Sequence, residues 1–298
     1  MKIGFIGVGN MGGPICRNLI KNDYSVLVHD IAPEAVARCT ELGAAAAKSP
    51  RAVAEACDVV FTSLAFPHIV EEVVLGPDGI AEGLHDGLIV VDLSTNDPVV
   101  VKRLAAELGR RGVPFLDAPV SGGTDGAEAA TISVIVGGDR AAYDNVLPML
   151  QAIGKSIYHV GPSGAGSVFK IVNNMLAFCN MAAANEALML ISKTGHDPET
   201  FLDVVEQSSG ASAGLGRLRR NVLAGNFEAE FTMDLAYKDL GLALKLGEQA
   251  EVPLVFPGAV NHILLEGRAL GMGSQDVCAM MRVLEHNLRL EVRAPASR

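Results

Sequence analysis

The stretch KIGFIGVGNMGG, residues 2–13, determines how the first half of the chain folds. Lys2–Ile6 is a short apolar run that predicts a buried strand, and a helical pattern follows the loop behind it. Between them stands the spacing G-x-G-x-x-G, formed by Gly7, Gly9 and Gly12. Between a strand and a helix, such glycines permit a tight turn, close approach of the backbone to a pyrophosphate, and close packing of helix on strand.

The ligand predicted for this loop is a dinucleotide. The start of the helix offers free N–H groups and a partial positive charge, which favour a phosphate. Asn10 and Met11 complete the loop and are candidate cofactor contacts together with the three glycines.

A second predicted strand, 24–30, ends in Asp30, where a dinucleotide fold places the carboxylate that binds the adenine ribose hydroxyls. The next residue is Ile31, and no arginine stands beside it to hold a 2′-phosphate. We therefore expect NAD rather than NADP. Asp30 is also placed to cap a helix over residues 33–42, and one carboxylate can serve both purposes.

Strand-like runs and helical patterns alternate through the rest of the first half. Further short runs rich in β-branched residues lie at 58–63, 88–93, 113–116, 131–137 and 156–160. Repeated βα units predict a doubly wound, Rossmann-type parallel sheet whose ligands gather at the carboxyl ends of the strands. Leu64, Ala65 and Thr95 follow two such ends and are candidate contacts for the nicotinamide, although ordinary loop or capping roles remain equally open.

The segment DAPVSGGT, residues 117–124, follows another predicted strand. Ser121 offers a hydroxyl, and Gly122 and Gly123 offer unhindered backbone N–H groups. Such a set suits a carboxylate, so these three residues are candidate substrate ligands.

The second half of the chain is predicted to be helical. A glycine- and proline-containing turn, 161–164, marks a boundary between a cofactor domain at 1–162 and an all-α domain at 163–298. The stretch GAGSVFKIVNNMLAFCNMAAAN, residues 164–185, predicts a long helix that joins the two. Further helices are predicted from Pro198 onward and over 233–250, 253–270 and 276–288.

The long helix carries three polar residues near its start. Lys170 and Asn174 are four residues apart and share one helix face, and Asn173 flanks that face. A cation and two amides on an otherwise apolar helix indicate a polar cluster directed into a cleft. From the spacing alone, a lysine on a solvated face is an equally open interpretation.

Composition excludes several classes of protein. The 298 residues carry a net charge of −10, which argues against a nucleic-acid partner. We expect a cytoplasmic protein, because no uninterrupted apolar run reaches the length of a membrane span and glycines break the N-terminal one. The five cysteines lack a C-x-x-C pair, which favours reduced thiols. The dispersed histidines form no metal motif, so no metal is expected.

Four motifs, in this order, resemble the β-hydroxyacid dehydrogenase family. They are GVGNMGGPICRNL (7–19), DAPVSGGTDGAEAATISVIVGG (117–138), GAGSVFKIVNN (164–174) and YKDLGLAL (237–244). The stretches at 29–35, 157–166 and 231–244 are most similar to members that act on 2-(hydroxymethyl)glutarate or 3-hydroxyisobutyrate. The resemblance covers nearly the whole chain and implies an NAD-dependent dehydrogenase of small 3-hydroxy acids. It also implies a helical domain like the C-terminal domain of 6-phosphogluconate dehydrogenase.

The resemblance also implies roles for individual residues. Lys170 would be the catalytic acid/base, and Asn174 would bind substrate beside it. Ser121, Gly122 and Gly123 would bind the substrate carboxylate, while Thr95 and Lys238 would line the cofactor site. The related phosphogluconate dehydrogenases have histidine where this chain has Asn173, which disfavours oxidative decarboxylation of a phosphorylated sugar acid.

Three departures from the family pattern stand out. The loop after the third strand reads Ser63-Leu64-Ala65 where Met-Leu-Pro is usual, and Ala130 replaces a usual glycine. Ala211 stands where the family has an arginine that can hold a second charge on the substrate. The nearby Arg217 and its neighbours at 219 and 220 are candidates to replace it, although solvation at the surface is the favoured expectation for them.

Other functions remain open at this point. Semialdehyde reductases, for tartronate or succinate semialdehyde, and imine reductases share the scaffold, although imine reductases usually replace the lysine found here at position 170. A non-catalytic NAD-binding protein would have no need of Lys170, Asn174 and the Ser-Gly-Gly segment. A helical domain rich in alanine and leucine predicts a homo-oligomer, either a dimer or a tetramer.

Overall fold

The computed structural model describes residues 1–294. The chain divides into two compact units, the first comprising Met1–Lys170 and the second beginning at Ile171. The division lies inside the long helix rather than at the turn 161–164, because the first turns of that helix are bonded to the first unit.

The first unit is built on a single sheet of nine strands. They are β1 (Lys2–Ile6), β2 (Ser25–His29), β3 (Ala45–Ala46), β4 (Val59–Thr62), β5 (Ile89–Asp92), β6 (Phe115–Asp117), β7 (Val120–Ser121), β8 (Ile132–Gly137) and β9 (Gly154–Gly161). The strand order begins 3-2-1-4-5-6 with parallel pairing throughout, the arrangement of a dinucleotide-binding sheet. The Rossmann-type prediction is confirmed.

The far edge of the sheet departs from the parallel pattern. Strand β8 pairs antiparallel with both β6 and β7, and β9 then pairs parallel with β8. Between β6 and β8 the chain makes only the short strand β7 and one brief helix, so it returns in the opposite direction. A parallel partner would need a longer crossover.

Helices cover both faces of this sheet. They are α1 (Gly12–Lys21), α2 (Pro33–Thr40), α3 (Pro50–Ala56), α4 (Pro67–Leu75), α5 (Pro98–Gly109), α6 (Gly123–Glu128) and α7 (Arg140–Ile153), with a 3₁₀ turn at Ile80–Glu82. Because strand side chains alternate between faces, two cores form. Phe61 of β4 packs into the core under α1, α2 and α7, and Val60 packs into the core under α3, α4 and α5.

The second unit is helical. After α8 (Ala165–Lys193), which starts in the first unit, come α9 (Pro198–Glu206), α10 (Leu215–Arg217), a π-helical segment (Leu218–Leu223), α11 (Met233–Gln249), α12 (Val255–Ala269), a 3₁₀ turn (Val277–Ala279) and α13 (Met280–Leu288). One core of leucine, methionine and alanine side chains joins them. The predicted helix at 276–288 is therefore a 3₁₀ turn followed by a shorter α-helix.

Helix α8 is long and apolar. Within residues 1–294 it is the single helix whose length and composition would allow it to cross a membrane, and 33% of its most apolar window is buried. Core helices of soluble proteins meet the same two criteria, so this feature alone does not indicate a membrane. The five cysteines are free thiols, all buried except the half-buried Cys179.

Candidate cofactor and substrate site

The glycine loop has the backbone shape that its spacing predicts. Gly7 has φ +88, and a Cβ there would collide with the backbone oxygen of Ser63. A Cβ on Gly12 would collide with the oxygen of Gly7. A Cβ on Gly9, by contrast, would meet no atom of the described residues within 4 Å. Two glycines therefore hold the loop tightly folded, and the third leaves its outer side open to a phosphate.

Asn10 and Met11 lie where the loop enters helix α1. Asn10 is exposed, and the half-buried Met11 is the residue that precedes the helix. A thioether is a weak hydrogen-bond acceptor, and no side chain caps this helix, so its start suits a phosphate ligand.

Asp30 is anchored at the end of β2 by two backbone groups. Its Oδ2 accepts a hydrogen bond from the N–H of Val8 at 2.8 Å, and its Oδ1 accepts one from Ala32 at 2.9 Å. Each carboxylate oxygen can accept further bonds, so the geometry fits ribose hydroxyls. The residue that precedes helix α2 is Ala32. Asp30 is therefore not the N-cap residue of that helix, and the alternative prediction of a capping role is wrong.

A cavity of about 610 Å³ opens beside the glycine loop within the first unit. Gly9, Asn10 and Gly13 line one part of it, and Arg17 and Arg38 also face it. Arg17 is paired with Glu128 at 3.1 Å. Neither arginine was singled out from the sequence, because Arg38 lies a full helix beyond Asp30 rather than beside it.

The two strand-end loops predicted to face the nicotinamide are bonded to each other. The backbone N–H of Leu64 donates to Ser94 Oγ at 2.9 Å. The carboxylate of Asp92 accepts hydrogen bonds from Thr62 Oγ1 and Asn96 Nδ2, each at 2.9 Å. Burial raises the pKa of Asp92, and the hydrogen bonds it accepts oppose that rise. A buried network therefore fixes the loop that carries Leu64 relative to the one that carries half-buried Thr95, while Ala65 is exposed.

The Ser-Gly-Gly segment forms a sharp turn between β7 and α6. Gly122 and Gly123 have φ values of +142 and +67, which favour glycine, and both are exposed. Ser121 is half-buried and faces Ser133 across the antiparallel pair with β8. The turn leaves backbone N–H groups accessible beside one hydroxyl, as a carboxylate site requires.

Lys170 lies on α8, in the last position of the first unit, and its relative exposure is 7%. The solvated-face alternative is therefore wrong for this side chain. The helix start is held by Asp117 at the end of β6, whose carboxylate accepts N–H bonds from Gly164 at 2.8 Å and Ser167 at 2.7 Å. Burial raises the pKa of Asp117 to about 6, and these two backbone donors oppose the rise.

In the second unit, Asn174 and Lys238 meet at one carboxylate. Asn174 Nδ2 donates to Asp239 Oδ2 at 2.7 Å, and Lys238 Nζ lies 2.7 Å from Asp239 Oδ1. Asp239 is 1% exposed. Asp239 lies in the motif around Lys238 but is not among the site residues predicted from the sequence. The signal available was an acidic residue directly adjacent to a predicted site lysine.

The departures from the family pattern acquire a structural meaning. Ala130 has φ +54, a conformation in which an alanine is strained and glycine is not. Arg217 is bonded to the fully buried Asp276 at 2.7 Å, and Arg219 pairs with Asp203 at 2.7 Å. The expectation that Arg217 is solvated at the surface is therefore wrong, and its guanidinium is already engaged by Asp276.

No group of three or more potential metal ligands of the His, Cys, Asp or Glu type occurs within residues 1–294.

Comparison with known proteins covers both halves of the chain. The family model described as the NAD binding domain of 6-phosphogluconate dehydrogenase matches residues 2–161. The model described as NAD-binding of NADP-dependent 3-hydroxyisobutyrate dehydrogenase matches residues 164–284. A nicotinamide dinucleotide is therefore the cofactor class, in agreement with the glycine loop.

Individual relatives agree with these matches. The chain is 42% identical to 2-(hydroxymethyl)glutarate dehydrogenase of Eubacterium barkeri, over 96% of this chain and 95% of that protein. It is 39% identical to 3-hydroxyisobutyrate dehydrogenase of Pseudomonas aeruginosa, over 85% and 88%. The crystal structure of 3-hydroxyisobutyrate dehydrogenase from Salmonella typhimurium superposes with a TM-score of 0.88 at 29% identity, covering 95% and 99%. The chain belongs to the β-hydroxyacid dehydrogenase family of nicotinamide-dependent oxidoreductases.

Proposed function

We propose that this protein oxidises the hydroxyl group of a small 3-hydroxy acid of the 3-hydroxyisobutyrate or 2-(hydroxymethyl)glutarate type, with Lys170 as the acid/base. The observation that carries the proposal is the burial of Lys170, which is 7% exposed on α8. A buried lysine suits a general base, because burial lets an ammonium group release its proton more readily than it does in water. The full-length similarity to a 2-(hydroxymethyl)glutarate dehydrogenase supports the same chemistry.

The residues of the site have distinct roles in this proposal. Ser121, with the N–H groups of Gly122 and Gly123, holds the substrate carboxylate, and Asn174 orients the substrate. Lys170 Nζ accepts the hydroxyl proton during oxidation and returns it during reduction. As a cation it also stabilises negative charge that develops on the substrate oxygen.

The cofactor, when bound, supplies hydride acceptance from the carbinol carbon. The glycine loop formed by Gly7, Gly9 and Gly12 would hold its pyrophosphate, with Asn10 and Met11 in the same loop. Leu64, Ala65, Thr95 and Lys238 are assigned to its nicotinamide side. In unit two, Asp239 keeps Asn174 and Lys238 in fixed orientations through its two oxygens.

A substrate panel tests the reaction class. Initial rates of NAD⁺ and NADP⁺ reduction would be measured with 3-hydroxyisobutyrate, 2-(hydroxymethyl)glutarate, glycerate, serine and 4-hydroxybutyrate. We expect one of the first two acids to give the highest kcat/KM. No reduction with any acid, together with oxidation of NADH by a semialdehyde or an imine, would replace this proposal with the corresponding reductase.

We further propose NAD rather than NADP as the preferred cofactor. The Asp30 carboxylate suits a 2′-hydroxyl and repels a 2′-phosphate, although Arg38 lines the cavity beside the glycine loop. Asp30→Asn keeps one oxygen for Val8 or Ala32 and removes the charge. We expect it to raise the Kd for NADH about tenfold and to lower the Kd for NADPH.

Cofactor titrations followed by the fluorescence of NADH and NADPH measure this shift. Asp144→Ala, which removes a surface carboxylate paired with Arg140, is the control and is expected to change neither Kd. Tighter binding of NADPH than NADH by the unaltered protein would reverse the assignment and make Arg38 the residue to replace.

A homo-oligomer is the proposed assembly. On the second-unit part of α8, Leu176 and Leu190 are 56% and 65% exposed, and at the start of α12, Val255 and Phe256 are 77% and 80% exposed. Several large apolar side chains exposed to this degree are typical of subunit contacts. Sedimentation equilibrium is expected to give a dimer or tetramer, and a monomer at micromolar concentration would contradict it. We expect the assembled protein to be cytoplasmic.

A further inference from the structure

A buried carboxylate in the first unit takes no part in the chemistry proposed above. Asp117 ends β6 and is 1% exposed. It is in register with Asp92 of the neighbouring strand β5 and with Gly137 of β8 on the other side. Burying a charged carboxylate is costly, so its contacts require an explanation.

The contacts of Asp117 are to the start of helix α8. One carboxylate oxygen accepts the N–H of Gly164, which precedes the helix, and the other accepts the N–H of Ser167 in its first turn. The first N–H groups of a helix lack partners within the helix. Here a strand residue 47 and 50 positions earlier in the chain supplies the acceptors, whereas most caps are local.

Two glycines place this helix start directly against the strand ends. A Cβ on Gly166 would lie 2.6 Å from the backbone oxygen of Asp117, and a Cβ on Gly137 would lie 2.6 Å from its Oδ1 and 2.8 Å from the nitrogen of Gly166. No side chain separates the helix from the sheet at this point. The first turn therefore cannot slide along the sheet without breaking the hydrogen bonds to Asp117.

Lys170 follows Ser167 by three residues, so its Cα lies one helical turn beyond the attached segment. A neutral residue within α8 would cap the helix at a lower desolvation cost. What the distant carboxylate adds is a fixed position of the helix relative to the sheet whose strand-end loops carry the predicted cofactor contacts. Misplacement of a catalytic group by about 1 Å can reduce turnover by about 10²-fold.

We propose that Asp117 is a positioning residue for Lys170: it holds the first turn of α8 on the sheet so that the lysine Nζ reaches the substrate hydroxyl in one fixed geometry. This inference rests on the proposed role of Lys170 in the reaction.

A double-mutant cycle tests the inference, because two residues that act through one another have non-additive effects. The four proteins are the unaltered chain, Asp117→Asn, Lys170→Ala and the double variant. For each, kcat and the KM for NAD⁺ would be measured with the best substrate of the panel, together with the Kd for NADH and the Tm. Asp139→Asn is the matched control, because Asp139 caps α7 through the N–H of Ala142 at 2.8 Å.

We expect Asp117→Asn to lower kcat at least about tenfold, while the KM for NAD⁺ and the Kd for NADH stay within about twofold. In the Lys170→Ala background the same change should lower the residual kcat by less than about twofold. Asp139→Asn should leave kcat unchanged. If Asp117→Asn yields little soluble protein, Asp117→Ser, which keeps one oxygen acceptor, takes its place in the cycle.

Three results separate the possible failures. The positioning role would be overturned if Asp117→Asn lowered kcat and the affinity for NADH by the same factor. It would also be overturned if Asp117→Asn lowered kcat by the same factor in the unaltered protein and in Lys170→Ala. Asp117 would then have a general structural role. An unchanged kcat in Asp117→Asn, with a large loss in Lys170→Ala, would overturn this inference alone. An unchanged kcat in Lys170→Ala would overturn the proposed function itself.

Discussion

At the scale of single residues, the first unit buries two charged groups on or beneath helix α8. Lys170 is 7% exposed on α8, and Asp117 is 1% exposed beneath the start of the same helix. Asp117 loses hydration on folding, and the loss disfavours its charged form. For Asp117 the two backbone donors recover only part of that loss, since the pKa remains raised to about 6.

The raised pKa of Asp117 predicts a pH-dependent stability. Between about pH 4 and pH 6 the folded protein binds a proton at Asp117 that the unfolded chain has released, so the free energy of unfolding falls as pH rises through this window. The difference between 3.8 and about 6 corresponds to about 3 kcal/mol. Asp117→Asn lacks this component.

Urea unfolding of the unaltered protein and of Asp117→Asn at pH 4 and pH 7 measures the effect. Asp92, in register on β5, is present in both proteins and cancels in the difference. We expect the unaltered chain to lose about 2 kcal/mol more than the variant between the two pH values, because the unfolded carboxyl is still partly protonated at pH 4. Identical losses would mean that Asp117 is ionised in the folded protein throughout this range.

At the scale of elements, the turn between a strand and its helix carries the cofactor chemistry. Gly9→Ala tests this in the first such turn, because its Cβ would meet no atom of the described residues within 4 Å. The variant should fold with a Tm close to that of the unaltered protein and bind NADH at least about tenfold more weakly, since the methyl group occupies the side that a pyrophosphate approaches.

Gly109→Ala is the matched control, because the added Cβ on α5 is equally unobstructed in the described part of the chain and lies outside the predicted cofactor loop. It should leave the Kd for NADH unchanged. If Gly9→Ala bound NADH as tightly as the unaltered protein, the loop would not hold the pyrophosphate.

A second element-scale prediction concerns the end of α6. Ala129 is the last residue of the helical conformation with φ −81, and Ala130 follows in the left-handed region with φ +54. Glycine is favoured at this position after a helix, so Ala130→Gly should raise the free energy of unfolding by about 1 kcal/mol.

Ala129→Gly provides the comparison, because glycine there relieves no strain and increases the entropy of the unfolded chain. We expect the Tm to rise in Ala130→Gly and to fall in Ala129→Gly. A fall in both variants would show that the alanine at position 130 is not strained in solution.

The elements that the sequence predicted best have strong local patterns. Strand β1 has the predicted limits, and the helix from Met233 ends within one residue of its predicted end, because an apolar pattern marks both and Gly7 follows the strand. Strand β3 consists of Ala45 and Ala46 alone and was not predicted, since two alanines carry no strand signal. The direction of β8 depends on the path of the chain before it, which the local sequence does not encode.

In the candidate site, too, some residues have a strong local pattern and others are brought together only by the tertiary fold. The glycine loop and Asp30 were identified from spacing, and their geometry in the structure fits a dinucleotide. Asp117 and Asp239 act on residues far away in the chain, and contacts of that kind are fixed by the tertiary fold. The assigned roles of Lys170 and Ser121 stay predictions until the variants are measured.

At the scale of the whole molecule, the predicted site residues are divided between the two units. The first contains the dinucleotide-binding sheet, the Ser-Gly-Gly turn and Lys170, and the second contains the cluster of Asn174, Asp239 and Lys238. With Ala211 in place of the family's arginine and Arg217 bonded to Asp276, a second charge on the substrate would need another partner. We therefore expect the kcat/KM for 3-hydroxyisobutyrate, which has one carboxylate, to differ from that for 2-(hydroxymethyl)glutarate, which has two.

The most direct test of the account is the kcat of NAD⁺ reduction by Lys170→Ala with the best hydroxy acid of the panel. Lys193→Ala, which removes an exposed lysine from the last turn of the same helix, is the control. We predict that Lys170→Ala lowers kcat at least about 10²-fold with NADH binding retained, while Lys193→Ala behaves as the unaltered protein. A Lys170→Ala variant that kept near-normal kcat would contradict the assignment of Lys170 as the acid/base.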